Sequence, residues 1–268
     1  MAHMTGIAHH ECSKSELEYD EPKFFQSDIS EDYTQYLHPK SILSGDNPLV
    51  FEIDGNNDFV DLSRTQLKIK IKISHADGTP IANTKKCAPV NNILHSLFNQ
   101  VQVSLKDNIV THSNSLYSYR SYLETLLSYS ANAKKTWLKT TGWLEDENGK
   151  FDLDGNASIA KRRGAFEGDA EVELKGRLHL DLSFCEKLLP SNLDVRIILT
   201  RAKPQFFMLS FDEGDTFKAE ITEAIMYVRR VKLTAPRQLA FERDISKKSI
   251  RIPINHVALK HVTITSGT

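Results

Sequence analysis

Between Leu67 and Ile73 the chain alternates without a break: Leu67, Ile69, Ile71 and Ile73 against Lys68, Lys70 and Lys72. A period of two puts one face into a core and the other into water, which predicts a half-buried strand. The same period recurs in Leu49–Gly55 and at Val101, Val103 and Leu105. It returns at Val172 and Leu174, then at Leu178, Leu180 and Leu182, with Gly176 marking a bulge between them. Leu193, Val195, Ile197 and Leu199 alternate as well. Ala219 and Ile221 do so before an apolar run from Ile225 to Val228, and residues 249–265 predict two closing strands. Asp77-Gly78 and Lys106-Asp107-Asn108 supply hairpin turns.

Helical spacing is scarcer. Ile93, Leu94, Leu97 and Phe98 make a one-sided turn that runs directly into the strand at 101–105. Leu116, Tyr119, Leu123 and Leu127 share one helical face, and Ser130 ends that helix or caps the next. Residues 236–245 predict one more short helix. Many short strands, few helices and no alternation of strand with helix predict a mainly-β, antiparallel sandwich carrying short helical insertions. The domain reading is an extended acidic N-terminal arm over residues 1–47 and one sandwich over 48–268. Residues 142–168, rich in Gly, Asp and Asn, read as a long surface loop.

Composition changes this picture little. Of 268 residues 40% are hydrophobic and 26% charged, with a net charge of −1, so no global field draws the molecule to nucleic acid or an anionic membrane. Charge is polarised, though: residues 11–32 carry a net −6 and residues 218–260 a net +6. Such asymmetry is usually solvated surface, and it also suits head-to-tail contact between copies. Cys12, Cys87 and Cys185 are odd in number and widely spaced, which gives neither a disulfide framework nor a metal knuckle and fits reduced thiols. No apolar run is long enough to span a membrane, and the N-terminus lacks the apolar core of a signal peptide, so the expected site of synthesis is the cytoplasm.

The motifs of common enzyme classes are absent from the sequence: no nucleophile elbow, phosphate-binding loop, dinucleotide fingerprint or paired-histidine zinc helix. His9, His10, Glu11 and Cys12 are metal-ligand types, but adjacent on an arm, where an unstructured terminus is the better account. Asp152, Asp154 and Gly155 imitate the start of a calcium loop without its closing glutamate. Glu52 with Asp54, and Glu145 with Asp146 and Glu147, are carboxylate pairs with no sign of a cleft between them. Lys161–Gly164 and Arg229–Lys232 are basic but lack interleaved aromatics, so solvated edges or inter-subunit contacts suit them better than nucleic acid. Tyr117, Tyr119 and Tyr122 look like a patch but fit packing against the sheet. The expectation is therefore a non-enzyme with no catalytic residue, cofactor, metal, small-molecule substrate or sequence-specific nucleic-acid partner.

Several long blocks carry a resemblance. "FVDLSRTQLKIKIKI", "APVNNILHSLFNQVQVSLKDNIV", "LYSYRSYLETLLSYSANAKKTWL", "GWLEDE", "LKGRLHLDLSFCEKLLPSNLDVRIILTRAKPQFFML" and "AIMYVRRVKL" occur in that order. Together with "HECSKSELEYDEP" near the start, they resemble the capsid protein of Maverick/Polinton elements and the related adintoviruses. The resemblance implies a major capsid protein of the double jelly-roll type, with two eight-stranded sandwiches per subunit. It also implies partners: self-association into trimeric capsomers, other capsid proteins, and a place in the virion once assembled. Members of that family continue into a second jelly roll, whereas this chain stops at "HVTITSGT" and would hold the arm and the first sandwich. The alternative is a carbohydrate-binding sandwich, for which Trp137 and Trp143 are the aromatic candidates.

Overall fold

The computed structural model describes residues 28–82, 86–111, 115–151, 153–185, 187–260 and 262. Among the described residues ten strands form in chain order: β1 (Ile29–Leu37), β2 (Leu49–Ile53), β3 (Phe59–His75), β4 (Cys87–Pro89), β5 (Phe98–Leu105), β6 (Asn108–Ile109), β7 (Glu171–Gly176), β8 (Val195–Arg201), β9 (Met208–Ser210) and β10 (Phe217–Leu233). One four-stranded sheet runs β1-β10-β3-β7, a second runs β2-β8-β5-β6, and every pairing is antiparallel. The short strands β4 and β9 pair separately. Leaving these two aside, the chain crosses from sheet to sheet so that first and last strands are neighbours in one layer. The second and second-last strands are neighbours in the other. That winding defines a jelly roll, and the antiparallel sandwich expected from the alternation is present.

The inward faces are those the alternation marks. Leu49, Phe51 and Ile53 from β2 and Leu67, Ile69, Ile71 and Ile73 from β3 are buried. They meet Val101 and Val103 of β5 and Val195, Ile197 and Leu199 of β8 in one continuous core. Each such side chain withdrawn from water contributes about 1.5–3 kcal/mol. Outward, the β3 lysines face carboxylates: Lys68 lies 3.1 Å from Glu173 and Lys70 2.8 Å from Glu223. β10 keeps its core face only through a bulge between Ile221 and Glu223. The extra residue moves the inward set from Ile221 to Ala224, Met226 and Val228, which resolves the apolar run at 225–228.

Three expectations change. Residues 29–37, assigned to an arm outside the sandwich, form the edge strand β1 on β10; alternating Tyr33, Gln35 and Leu37 are too polar to announce it. Leu178, Leu180 and Leu182 do not continue a strand: β7 ends at Gly176 and residues 181–184 make a 3-10 turn. Those leucines still join the core, Leu178 and Leu180 from irregular backbone and Leu182 from the 3-10 turn. No strand forms among the described residues after 247, where two were expected; the helix expected at 236–245 is there, as α6 (Ala235–Lys247). The remaining helices are α1 (Ile93–Ser96), α2 (Tyr117–Ser128), α3 (Ala131–Lys135), α4 (Ala157–Ala165) and α5 (Pro204–Phe207). No helix of the described residues is long and apolar enough to cross a membrane.

Candidate functional site

Three of the helices, α2, α3 and α4, are inserted between β6 and β7, where they close one end of the sandwich. α1 lies beneath them: Ile93, Leu94, Leu97 and Phe98 are buried, so the short helix plugs this end and hands the chain to β5. The backbone turns on Asn92, which adopts a left-handed φ of 61°. Opposite, Gly142 has a φ of +80° and approaches so closely that an added Cβ would lie 2.3 Å from Ile93 Cγ2.

A polar network crosses this closed end. The Tyr117 hydroxyl accepts the His179 amide at 3.3 Å and is hydrogen-bonded to His95 Nδ1 at 2.9 Å. The His95 and His179 rings meet edge to face at 4.7 Å. His179 Nδ1 lies 2.7 Å from Glu124, which accepts Arg120 Nε at 2.8 Å. Arg120 continues to Asp181 at 2.6 Å, and Asp181 holds His256 Nδ1 at 2.6 Å and the Val257 amide at 3.3 Å. Four segments distant in sequence are thereby tied together: α1, α2, the 177–184 segment and the chain after α6. Burial, with His179 close by, pushes His95 well below the usual histidine range. Burial raises Glu124, but His179 and Arg120 outweigh it and hold the carboxyl below its ordinary value. Asp181 behaves alike, burial being overcome by His256 and Arg120.

The 142–168 segment does not project as a loop. Trp143 is buried against Tyr122, at 5.3 Å between rings, and α4 brings Arg162 inward. Arg162 donates to Asp146 at 2.9 Å and to the Pro89 carbonyl at 3.0 Å. Asn156 donates to Asp146 at 3.1 Å and caps α4 through Ser158 N. The "KRRG" basic pair is spent in this way: Arg163 pairs with Asp154 and donates to the Cys87 carbonyl. Asp154 is thus a structural counter-ion; Asp152, like His9–Cys12, lies outside the described residues. In "RRVK", Arg229 bridges Asp32 and Asp61, while Arg230 is buried on Gln35, Asn56 and the Asp54 carbonyl. Glu52 pairs with Lys40 and Arg196, and Glu147 with Lys150. Glu147 thus closes a turn, whereas Glu52 and Asp54, expected to flank no cleft, share the lining of a surface hollow with Asp107 and Asp194.

Two of the surface hollows bear on function. The larger, about 610 Å³, lies on the outer face of the β2-β8-β5-β6 sheet between Glu52, Gln102, Lys106, Asp194, Arg196 and Ile198. No aromatic side chain lines it, so the stacking platform that sugars use is missing there. The second, about 430 Å³, is apolar and lies between Tyr119, Tyr122, Phe151, Phe206 and Leu209 beside α2. Of the two tryptophans, Trp143 is a core plug, and Trp137 is half exposed, edge-on to Tyr129 at 5.4 Å. The polar network was not legible beforehand: His95 and His179 each sit alone in apolar runs, and only the fold joins them.

The fold places the chain among jelly-roll proteins, and comparison with solved structures gives the nearer likeness. A quasi-atomic structure of the PBCV-1 virus capsid superposes with a TM-score of 0.52 and 10% identity, over 83% of this chain and 47% of that one. The Sputnik virophage structure gives a TM-score of 0.52 and 11% identity over 83% and 52%. The Faustovirus major capsid protein gives 0.50 and 7% over 84% and 58%. At such identities the shared property is the fold. No family model matches the sequence. An uncharacterized protein of Caenorhabditis elegans is 24% identical over 239 residues, which span 85% of this chain and 55% of that protein. The chain thus spans about half the length of the proteins it resembles.

Proposed function

We propose that this chain is a structural capsid subunit encoded by a Maverick/Polinton-like element, with no reaction to catalyse. One observation carries the reading: a complete eight-stranded jelly roll whose solved likenesses are viral capsid proteins. The physical design supports it. Buried polar side chains are spent on locking the inserted segments to the sandwich, as at Asp146–Arg162 and Arg120–Asp181. The inward-facing aliphatic residues give a rigid slab, so function falls to the outer surfaces. Three copies would make a capsomer, the product would reside in the virion after cytoplasmic synthesis, and this sandwich would be one of two in the intact subunit.

Negative-stain electron microscopy of the purified chain at increasing concentration tests the reading, alongside the open frame downstream of the Thr268 codon. Three-fold particles, or shells, with a second strand-rich stretch encoded downstream are the expected outcome. Particles that never assemble, together with selective binding on a glycan array, would replace it by the carbohydrate-binding alternative.

A further inference from the structure

The helix α2 is turned inside out relative to its sequence. Its buried face is Tyr117, Ser118, Ser121 and Thr125, mostly small and polar. The opposite face carries Tyr119, Leu123, Leu126 and Leu127, exposed by 51%, 40%, 44% and 78%. At 3.6 residues per turn these four fall within an arc of about 100°, one continuous stripe. Phe206, 37% exposed, extends it by packing edge-on against Tyr119 at 5.5 Å. Leaving such a stripe in water is unfavourable by tens of calories per Å², and contiguous apolar patches of this kind mark interaction surfaces.

The charges around the stripe say what covers it. Beyond its C-terminal end lie the exposed Lys135 and Lys139, on α3 and the 3-10 turn after it. Beside its first half, next to Trp143 under Tyr122, runs the exposed Glu145, with the exposed Glu147 following it in an ion pair with Lys150 that a partner's lysines would have to share. We propose that α2 docks on α2 of a second copy, antiparallel about a two-fold axis. A parallel pairing sets lysines against lysines. The antiparallel one carries the lysines of each copy to the glutamates of the other while the leucines interdigitate, and a two-fold contact needs only this one self-complementary patch. The proposal stands on the helix itself and holds whether or not the chain builds shells.

Sedimentation velocity of the 268-residue protein tests it, with circular dichroism as a check of folding. The expected result is a concentration-dependent dimer that Leu123→Asp with Leu127→Asp weakens by at least about tenfold, with an unchanged spectrum. In a Cys12→Ser background, Leu123→Cys should form a disulfide-linked dimer, since Leu123 lies near the centre of the stripe and Cys87 and Cys185 are buried. The orientation has its own readout. Lys135→Glu/Lys139→Glu protein and Glu145→Lys/Glu147→Lys protein should each dimerise poorly alone and well when mixed. A monomer at every concentration, or a dimer untouched by the Leu123 and Leu127 changes, would overturn the contact. Equal dimerisation of the two charge variants alone and mixed would overturn its direction.

Discussion

Asp146 and Arg162 meet at 2.9 Å with side chains only 6% and 4% exposed. Desolvating two charges is costly, so the pair is tolerated because Asn156 and the Pro89 and Leu144 carbonyls complete its hydrogen bonding. Asp146→Ala would strand a buried guanidinium, and a loss of about 3–5 kcal/mol is expected in denaturant unfolding. Exchange of an exposed ion pair such as Lys150–Glu147 should leave the unfolding midpoint almost unchanged, because water screens it. His95 sets a pH dependence. Its folded pKa lies below the value of about 6.5 that it has when unfolded, so the unfolded chain binds the proton more readily. The resulting stability is complete above that unfolded value and is lost as pH falls below it. Depressed Glu124 and Asp181 add a second loss at lower pH, present above ordinary carboxylate values and gone once the folded values are crossed. Melting temperature against pH should therefore begin to fall just below neutrality in the native protein, and only in the carboxylate range in His95→Gln.

At the scale of elements, β1 shows how weakly a strand announces itself when its partner supplies the reason for it. Tyr33 donates to Asp58 at 2.7 Å, Gln35 accepts from the buried Arg230 at 2.6 Å, and Asp32 accepts Arg229 at 2.9 Å. None of these partners is near in sequence. A truncation that removes residues 1–47 follows the sequence-based domain boundary but cuts away this strand. It should yield a protein with a bare β10 edge that is insoluble or unfolds at markedly lower denaturant than the full chain. α2 teaches the converse. Its Leu116, Tyr119, Leu123 and Leu127 spacing was a sound sign of a helix and a wrong guide to its buried face. The inner surface it meets is polar: the Tyr117 hydroxyl bonds His95 and the His179 amide, and Asn92 donates to Ser121 Oγ at 3.4 Å. In β3, the alternation from Leu67 to Ile73 translated directly into register. The first part of that strand bulges instead, with Asp61 accepting the Ser63 and Arg64 amides.

For the whole molecule, sequence alone determined the class of fold and the inward faces of β2, β3, β5 and β8. A period of two commits every second side chain to one face, and aliphatic residues on that face have only a facing sheet to bury against. The turns at Asp77-Gly78 and Lys106-Asp107-Asn108 likewise follow from local backbone preference. What tertiary structure decided is everything that depends on meeting a distant partner: that the chain winds as a jelly roll, and that residues 29–37 complete a sheet. Tertiary structure also decided that residues 142–168 fold inward on Arg162, that scattered histidines and carboxylates join in one network, and that α2 turns its leucines outward. Alternation is a local signal because it reflects the geometry of one strand. Strand order, buried ion pairs and exposed apolar stripes reflect free energies shared between segments far apart in the chain, and no stretch of sequence holds both halves of such an interaction.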